Sequence, residues 1–315
     1  MLVRSQHLGL KRMEVVPNGE VGDWRLGDEE FCLTFHLPTA ASHLGALARA
    51  NPFPREERLH FDELTHVYTV DGNKVPRSVT GFLHSFAPDF EAREIAEAMR
   101  HSPWWPEKSR KYTKESGEVM TTDEILDLWA SLGEVASKRG TLLHYHAEQF
   151  LNGRPIEEPH SPEFQQLLEI FGLLRREGLM ALRTELSVFH CGLQLAGQID
   201  GLFTDADGCH VIVDWKRCKE IRETCREPLR PPLEHLPACN YFLYALQLNL
   251  YAFILESEYG CTVSRLLLGV AHPTAARGRC IELPRLHAEI DAIVGYEVAA
   301  GRAAPSRPGP SAPWN

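Results

Sequence analysis

Two runs in this 315-residue chain, Gly197-Gln198-Ile199-Asp200 and Ile212-Val213-Asp214-Trp215-Lys216, read as short strands that each deliver a carboxylate, and a lysine ends the second. They constrain the fold more than any other feature, because side chains on a strand alternate faces with period two. Asp214 and Lys216 then point one way and Trp215 the other. Carboxylates bind hard divalent ions through oxygen, so a metal and an ammonium would flank one spot. Alone, an Asp-x-Lys triplet arises by chance roughly once in a few hundred residues, and it reads at least as well as a solvated strand edge.

Such an arrangement suits phosphodiester hydrolysis. The anionic oxygens of a phosphodiester repel a nucleophile, so a catalyst must supply positive charge and a deprotonated water. Lys216 could orient or deprotonate that water, or offset charge in the transition state, and its basicity beside a dication is expected to be lowered. Upstream, Gly140-Thr141-Leu142-Leu143-His144 runs on to Glu148 in a stretch whose apolar positions recur at helical spacing. That spacing puts His144 and Glu148 on one helix face. His144 there either completes a metal shell or serves as a core or capping histidine. Downstream, Gln247-Leu248-Asn249-Leu250-Tyr251 lies in an apolar helix over 241–259. Gln247 and Tyr251 could touch a phosphate, a base or Lys216, or be a buried amide and a tyrosine packed on the sheet.

In order, Gly-x-x-x-His on a helix, Gly-x-x-Asp and Asp-x-Lys on strands, and Gln-x-x-x-Tyr on a helix resemble the motif set of the RecB-like branch of the PD-(D/E)xK nuclease superfamily. That branch includes the CRISPR-associated RecB-like nucleases and the mitochondrial genome-maintenance exonuclease, and the resemblance spans roughly residues 57–272. It implies His144, Asp200 and Asp214 as metal ligands, Trp215 lending its backbone carbonyl, and Lys216 as the catalytic lysine. Gln247 and Tyr251 would complete the catalytic set by positioning Lys216 or the DNA backbone. Glu185, in Arg183-Thr184-Glu185-Leu186, falls where several relatives place an acid just before the first catalytic strand. It stands either behind the ligands, as Glu148 could, or at a solvated strand terminus. The expected ion is Mg²⁺ or Mn²⁺, which oxygen-rich ligation with at most one imidazole favours. Members of the branch with an iron-sulfur cluster carry one upstream cysteine and a compact downstream cysteine group; here Cys32, Cys261 and Cys280 stand isolated, and no iron-sulfur cluster is expected. Cys218, Cys225, His235 and Cys239 gather after the second strand without the short paired spacings of structural zinc sites.

With 43% hydrophobic residues, a chain of this length can bury a full core as one large domain. Eight cysteines without regular pairing, no signal peptide and no membrane-length apolar run point to a reducing interior, cytoplasm or nucleus, with no membrane partner. Residues 1–13 contain Arg4, Lys11 and Arg12 and no acid, so a short mitochondrial presequence stays open. The net charge of −10 excludes a broad basic face for nucleic acid. It leaves room for a narrow channel, because carboxylates around metal ions count as negative in the sequence while an occupied site does not. One cluster mixes cations with aromatics: Trp104, Trp105, Lys108, Arg110, Lys111, Tyr112 and Lys114. It reads either as a path for single-stranded DNA, gripped by charge and stacking, or as a solvated loop pinned by tryptophans in the core.

Residues 1–55 have weak periodicity and read as an extension of uncertain order. A hairpin is expected over 59–75 with Asp71-Gly72 near its turn, and Ser78 opens a helix either as its N-cap or as a phosphate contact. The helix carrying His144 is expected over 122–152 with Gly153 as its stop, and another from Ser161-Pro162-Glu163 to near Gly178. Strands at about 182–190, 195–203 and 209–216, the Gln247 helix, a strand over 262–271 and a helix over 285–300 complete an α/β fold. The resemblance makes it a restriction-endonuclease-like core, a mixed central sheet flanked by helices, with a helical cap. The expected division is a domain over 56–300, with the cap at 78–140 and the catalytic core at 141–272, and a disordered tail over 301–315 rich in Pro, Ala, Ser and Gly. The expected activity is metal-dependent hydrolysis of DNA, exonucleolytic on single-stranded ends, in repair, replication or recombination. A catalytically silent nucleic-acid-binding or assembly subunit and a duplex endonuclease are the alternatives.

Overall fold

The computed structural model describes residues 12–13, 45–62 and 64–303. The presequence reading of 1–11, Cys32, most of the N-terminal extension and most of the tail lie outside the described residues. In chain order the elements are strand β1 (Arg12–Met13), helix α1 (Ala46–Ala50), strands β2 (Leu59–Asp62), β3 (Val67–Val70), β4 (Asn73–Lys74) and β5 (Arg77–Ser78), and helices α2 (Val79–His84), α3 (Ala92–Arg100) and α4 (Trp105–Lys108). Then come helices α5 (Thr122–Leu151) and α6 (Pro162–Arg176), strands β6 (Met180–His190), β7 (Leu195–Thr204) and β8 (His210–Arg217), helix α7 (Asn240–Glu258), strands β9 (Val263–Ala271) and β10 (Arg279–Leu283), and helix α8 (His287–Ala299).

The described residues fall into two compact units, a larger one of 12–13 and 45–88 with 143–303 and a smaller one of 89–142. The smaller unit takes most of the span expected as a cap, while α2 belongs to the larger. The larger unit is α/β. Its mixed central sheet runs β1-β10-β9-β8-β7-β5, with β6 also paired to β7. β8 and β9 are parallel, as are β5 and β7, and the other pairs are antiparallel. Period-two alternation splits β8 between two cores. Ile212 packs with Leu248, Leu266 and Leu268 beneath α7, while Val211, Val213 and Trp215 pack with Leu167, Ile170 and Leu267 beneath α6. α7 is covered on nearly every side, which is why it is apolar all round instead of amphipathic. No helix among the described residues is long and apolar enough to cross a membrane.

The expected hairpin is a three-stranded sheet, β2-β3-β4. Asp71 and Gly72 form the two-residue turn between β3 and β4, not the turn between the first two strands. Both take left-handed φ, +50° and +79°, as a tight hairpin turn requires. In the smaller unit, Thr121 and Glu124 make a reciprocal capping box at the start of α5: Glu124 N–H donates to Thr121 Oγ1 at 3.3 Å and Thr121 N–H to Glu124 Oε2 at 2.8 Å.

Candidate metal centre

Within the larger unit, a cavity of 420 Å³ collects side chains from six elements: Tyr68 of β3, Thr80 of α2, His144 of α5, Asp200 of β7, Lys216 of β8, and Tyr244, Gln247 and Tyr251 of α7. Ligating atoms of His144, Glu185 and Asp200 all lie within 4.8 Å of one another, a group that could hold a metal ion. His144 Nδ1 stands 3.4 Å from Asp200 Oδ2. The same Oδ2 accepts the Trp215 backbone N–H at 2.8 Å, so adjacent strands fix the carboxylate. Asp214 is 2% exposed, and its Oδ2 lies 2.6 Å from Lys216 Nζ. Lys216 Nζ also sits 5.2 Å from the centre of the Tyr244 ring. Trp215 points to the opposite face, edge-on to Phe171 at 5.3 Å, as the alternation requires.

Burial and crowded charge govern the protonation of this group. Burial raises the Glu185 carboxyl well above its usual range, and the charge of Asp200 pushes it further. Burial lifts Asp214 to about 6 against the opposing pull of Lys216. Burial alone would lower His144, but the charge of Asp200 and a hydrogen bond to it bring the imidazole to about 9. Asp200 is lowered: burial works against this, and His144 outweighs it. Burial opposes the charge of Lys216, yet Asp214 and Asp200 raise its pKa. Two carboxylates this close repel unless a proton or a cation neutralises them, and oxygen donors with one imidazole suit Mg²⁺ or Mn²⁺. The residues present fit such an ion.

Glu185 is the residue that sequence reasoning undervalued. It lies inside β6, not at a solvated terminus, opposite Asp200 between the Thr184–Gly201 and Leu186–Ile199 pairs. Its φ is +48°, a left-handed value that costs a non-glycine residue about 1–3 kcal/mol, and such strain tends to persist at functional sites. Gln198 Nε2 donates to the Glu185 carbonyl at 3.1 Å. Glu148, one turn beyond His144, adds its charge to those raising Glu185. Tyr251 packs where Gly197 leaves room: a Cβ at 197 would stand 2.8 Å from Tyr251 Cε1 and 2.9 Å from its hydroxyl. Gln247 Nε2 reaches Thr80 Oγ1 at 3.4 Å. Asn240 and Tyr244, missed from the sequence, share a helix face with Gln247 and Tyr251, and that stripe is legible in the spacing. Tyr68 had no local signal.

The Ser78 hydroxyl accepts the Gly81 N–H at 3.0 Å, the N-cap of α2. The aromatic and cationic cluster lies in the smaller unit. There Trp105 stacks on Tyr112 at 5.9 Å, Trp129 Nε1 donates to the Tyr112 hydroxyl at 3.3 Å, and Lys114 pairs with Glu124 at 2.5 Å. Trp104 is 67% exposed, and Lys108, Arg110 and Lys111 are exposed with it. Cys218 and Cys225 donate to the carbonyls of Glu220 and Glu227, His235 faces Glu289 at 3.2 Å, and Cys239 is buried at the start of α7.

No protein-family model and no curated protein matches the chain. Among solved structures, SSO0001 aligns with 59% of this chain and 70% of its own, at 13% identity and a TM-score of 0.26. A structure named "Putative exonuclease", from Eubacterium rectale, aligns with 70% of this chain and 72% of its own, at 13% identity and a TM-score of 0.25.

Proposed function

We infer that this chain is a divalent-metal-dependent DNA nuclease, an exonuclease acting on single-stranded ends in repair, replication or recombination. One observation carries the reading: His144, Glu185 and Asp200 offer three mutually close ligand atoms, and two of them, His144 and Asp200, line the cavity that also holds Lys216. These three residues would hold Mg²⁺ or Mn²⁺, with Asp214 and the Trp215 carbonyl as the further ligands that the resemblance implies. The ion would supply Lewis-acid charge and an acidified water.

The chain's own groups do the rest. The Trp215 N–H fixes the Asp200 carboxylate, so its oxygens need no reorganisation when a phosphodiester enters. Lys216, held 2.6 Å from Asp214, offsets the charge that builds on the phosphoryl oxygens. Gln247 and Tyr251 orient the backbone from the α7 side of the cavity. Trp104, with Lys108, Arg110 and Lys111, gives the strand a stacking surface and cations for its phosphates.

The test offers equal amounts of linear and covalently circular single-stranded DNA, with Mg²⁺, with Mn²⁺ and in chelator, to the native chain and to Asp200→Asn. Loss of the linear strand alone, dependent on metal and on Asp200, is the expected result. Comparable loss of the circle shows endonucleolytic entry and removes the requirement for a free end. If neither strand is cut in either metal, the nuclease reading falls, and a gel-shift of the same strands decides whether a binding subunit takes its place.

A further inference from the structure

Three acids stand in a row across the central sheet. Asp200 of β7 has Glu185 of β6 on one side, between the Thr184–Gly201 and Leu186–Ile199 pairs, and Asp214 of β8 on the other, one step beyond the Gly201–Val213 pair. Lys216 closes the Asp214 end of this row, with Nζ 2.6 Å from Asp214 Oδ2. No motif residue serves the Glu185 end. Tyr68 of β3 is the side chain that reaches it: the charges that act on its phenol are those of Glu185 and Asp200.

The ring of Tyr68 is fixed by its own small sheet. It lies directly opposite Phe61 in the β2–β3 pairing, stacks on that ring at 4.4 Å and packs with Leu59, Phe189 and Ala196. Tyr68 is 9% exposed, yet it lines the cavity that holds Asp200 and Lys216. The other two tyrosines on that cavity have partners: Tyr251 hydrogen-bonds with Gln247 and Tyr244 with Cys218. The Tyr68 hydroxyl has none among the described residues. A buried hydroxyl without a partner carries a desolvation cost that an acceptor on a ligand would remove. A phenol keeps its proton at neutral pH, and burial, then the charges of Glu185 and Asp200, raise its pKa further. Toward an anionic oxygen it is therefore a donor.

We propose that Tyr68 is a catalytic residue whose hydroxyl donates to a non-bridging oxygen of the phosphodiester being cleaved, at the Glu185 end of the acid row, while Lys216 serves the Asp214 end. The inference rests on the nuclease reading and adds a substrate contact that none of its motifs contains. A neutral donor suits this end of the row. An ammonium or guanidinium there would compete with the metal ion for Glu185 and Asp200, whereas a phenol leaves both carboxylates to the ion. Held by Phe61 before substrate arrives, the hydroxyl needs no reorganisation as charge builds on the phosphoryl oxygens.

The experiment compares the full chain with Tyr68→Phe, which keeps the ring and its stack, on single-stranded oligodeoxythymidylate in Mn²⁺. The terminal linkages carry either ordinary phosphate or a phosphorothioate of one stereochemistry, in which sulfur, a weak acceptor, replaces one non-bridging oxygen. On the ordinary strand Tyr68→Phe should lower kcat by about tenfold or more, the loss of one hydrogen bond to a charged group, with KM, Mn²⁺ affinity and Tm near native. The two replacements together form a double-mutant cycle. For one of the two stereochemistries the slowing caused by sulfur in the native chain should shrink in Tyr68→Phe, because the bond it weakens is already gone. A merely structural tyrosine would leave the two penalties multiplicative. Native-like turnover of Tyr68→Phe, or penalties that multiply for both stereochemistries, overturns the proposal and leaves the metal chemistry standing. If the native chain cuts no strand, the nuclease reading and this inference fall together.

Discussion

Lys216 lines the cavity and Glu185 belongs to the ligand group beside it, and the two should fail in different ways. Lys216 is tied to Asp214 and to the Tyr244 ring and takes no place in the donor group. Lys216→Ala is therefore expected to lower cleavage by about 100-fold or more while Mn²⁺ affinity stays near native. Glu185→Gln keeps the shape, removes a donor, and should weaken Mn²⁺ together with activity. Calorimetry with Mn²⁺ beside a cleavage assay separates the two, and near-native turnover in Lys216→Ala would remove the mechanism. The sequence made Asp200, Asp214, Lys216 and His144 legible because each lies in a short motif whose period sets its direction. Glu185 was harder to see: its inward aim depends on a left-handed φ and on pairing with β7, neither of which has a sequence period. Tyr68 arrives from a separate small sheet, through tertiary packing alone.

Two glycines of the resemblance make opposite predictions for the elements that carry them. Gly140 is inside α5, and a Cβ there meets nothing within 4 Å, so Gly140→Ala should stabilise by about 0.5–1 kcal/mol through helix propensity. Gly197, on β7, has Tyr251 against it, and Gly197→Ala should cost about 1–3 kcal/mol by overpacking and displace Tyr251 from the cavity. Thermal melts of both variants check this; a destabilised Gly140→Ala would reveal a close approach at 140. The long helices and core strands were legible to within about two residues, because apolar period and capping residues mark them. β1, β5, β10 and α1 were not read, and α3 and α4 only as part of the helical span 78–140. Two-residue β5 has no period to show and exists through its parallel pairing with Leu195 and Ala196.

At the scale of the molecule, the buried Glu297 carboxylate joins Arg77, far back in sequence, to Arg302. Burial alone would raise its pKa, but Arg302 and Arg77 hold it below the ordinary 4.5. A depressed carboxylate contributes stability that is fully present above the unfolded value and is lost as pH falls through the lower folded one. The contribution is smaller than for a fully buried triad, because half of Arg302 is in water. Glu297→Gln is expected to melt below the native chain at pH 7, with the gap narrowing as pH drops under 4.5; a gap that stays constant across that range would show that its charge contributes nothing. This tie was not legible, because it depends on which distant segments meet; the smaller unit at 89–142 overlaps most of the span read as a cap at 78–140.

The left-handed backbone at Glu185 bears on any attempt to make this protein more robust. Glycine at 185 would relieve the strain and remove a carboxylate crowded against Asp200, so it should raise thermal tolerance. A screen that rewards heat resistance alone would therefore enrich variants that have given up the cluster, and each round of selection should score heat resistance and Mn²⁺ uptake together.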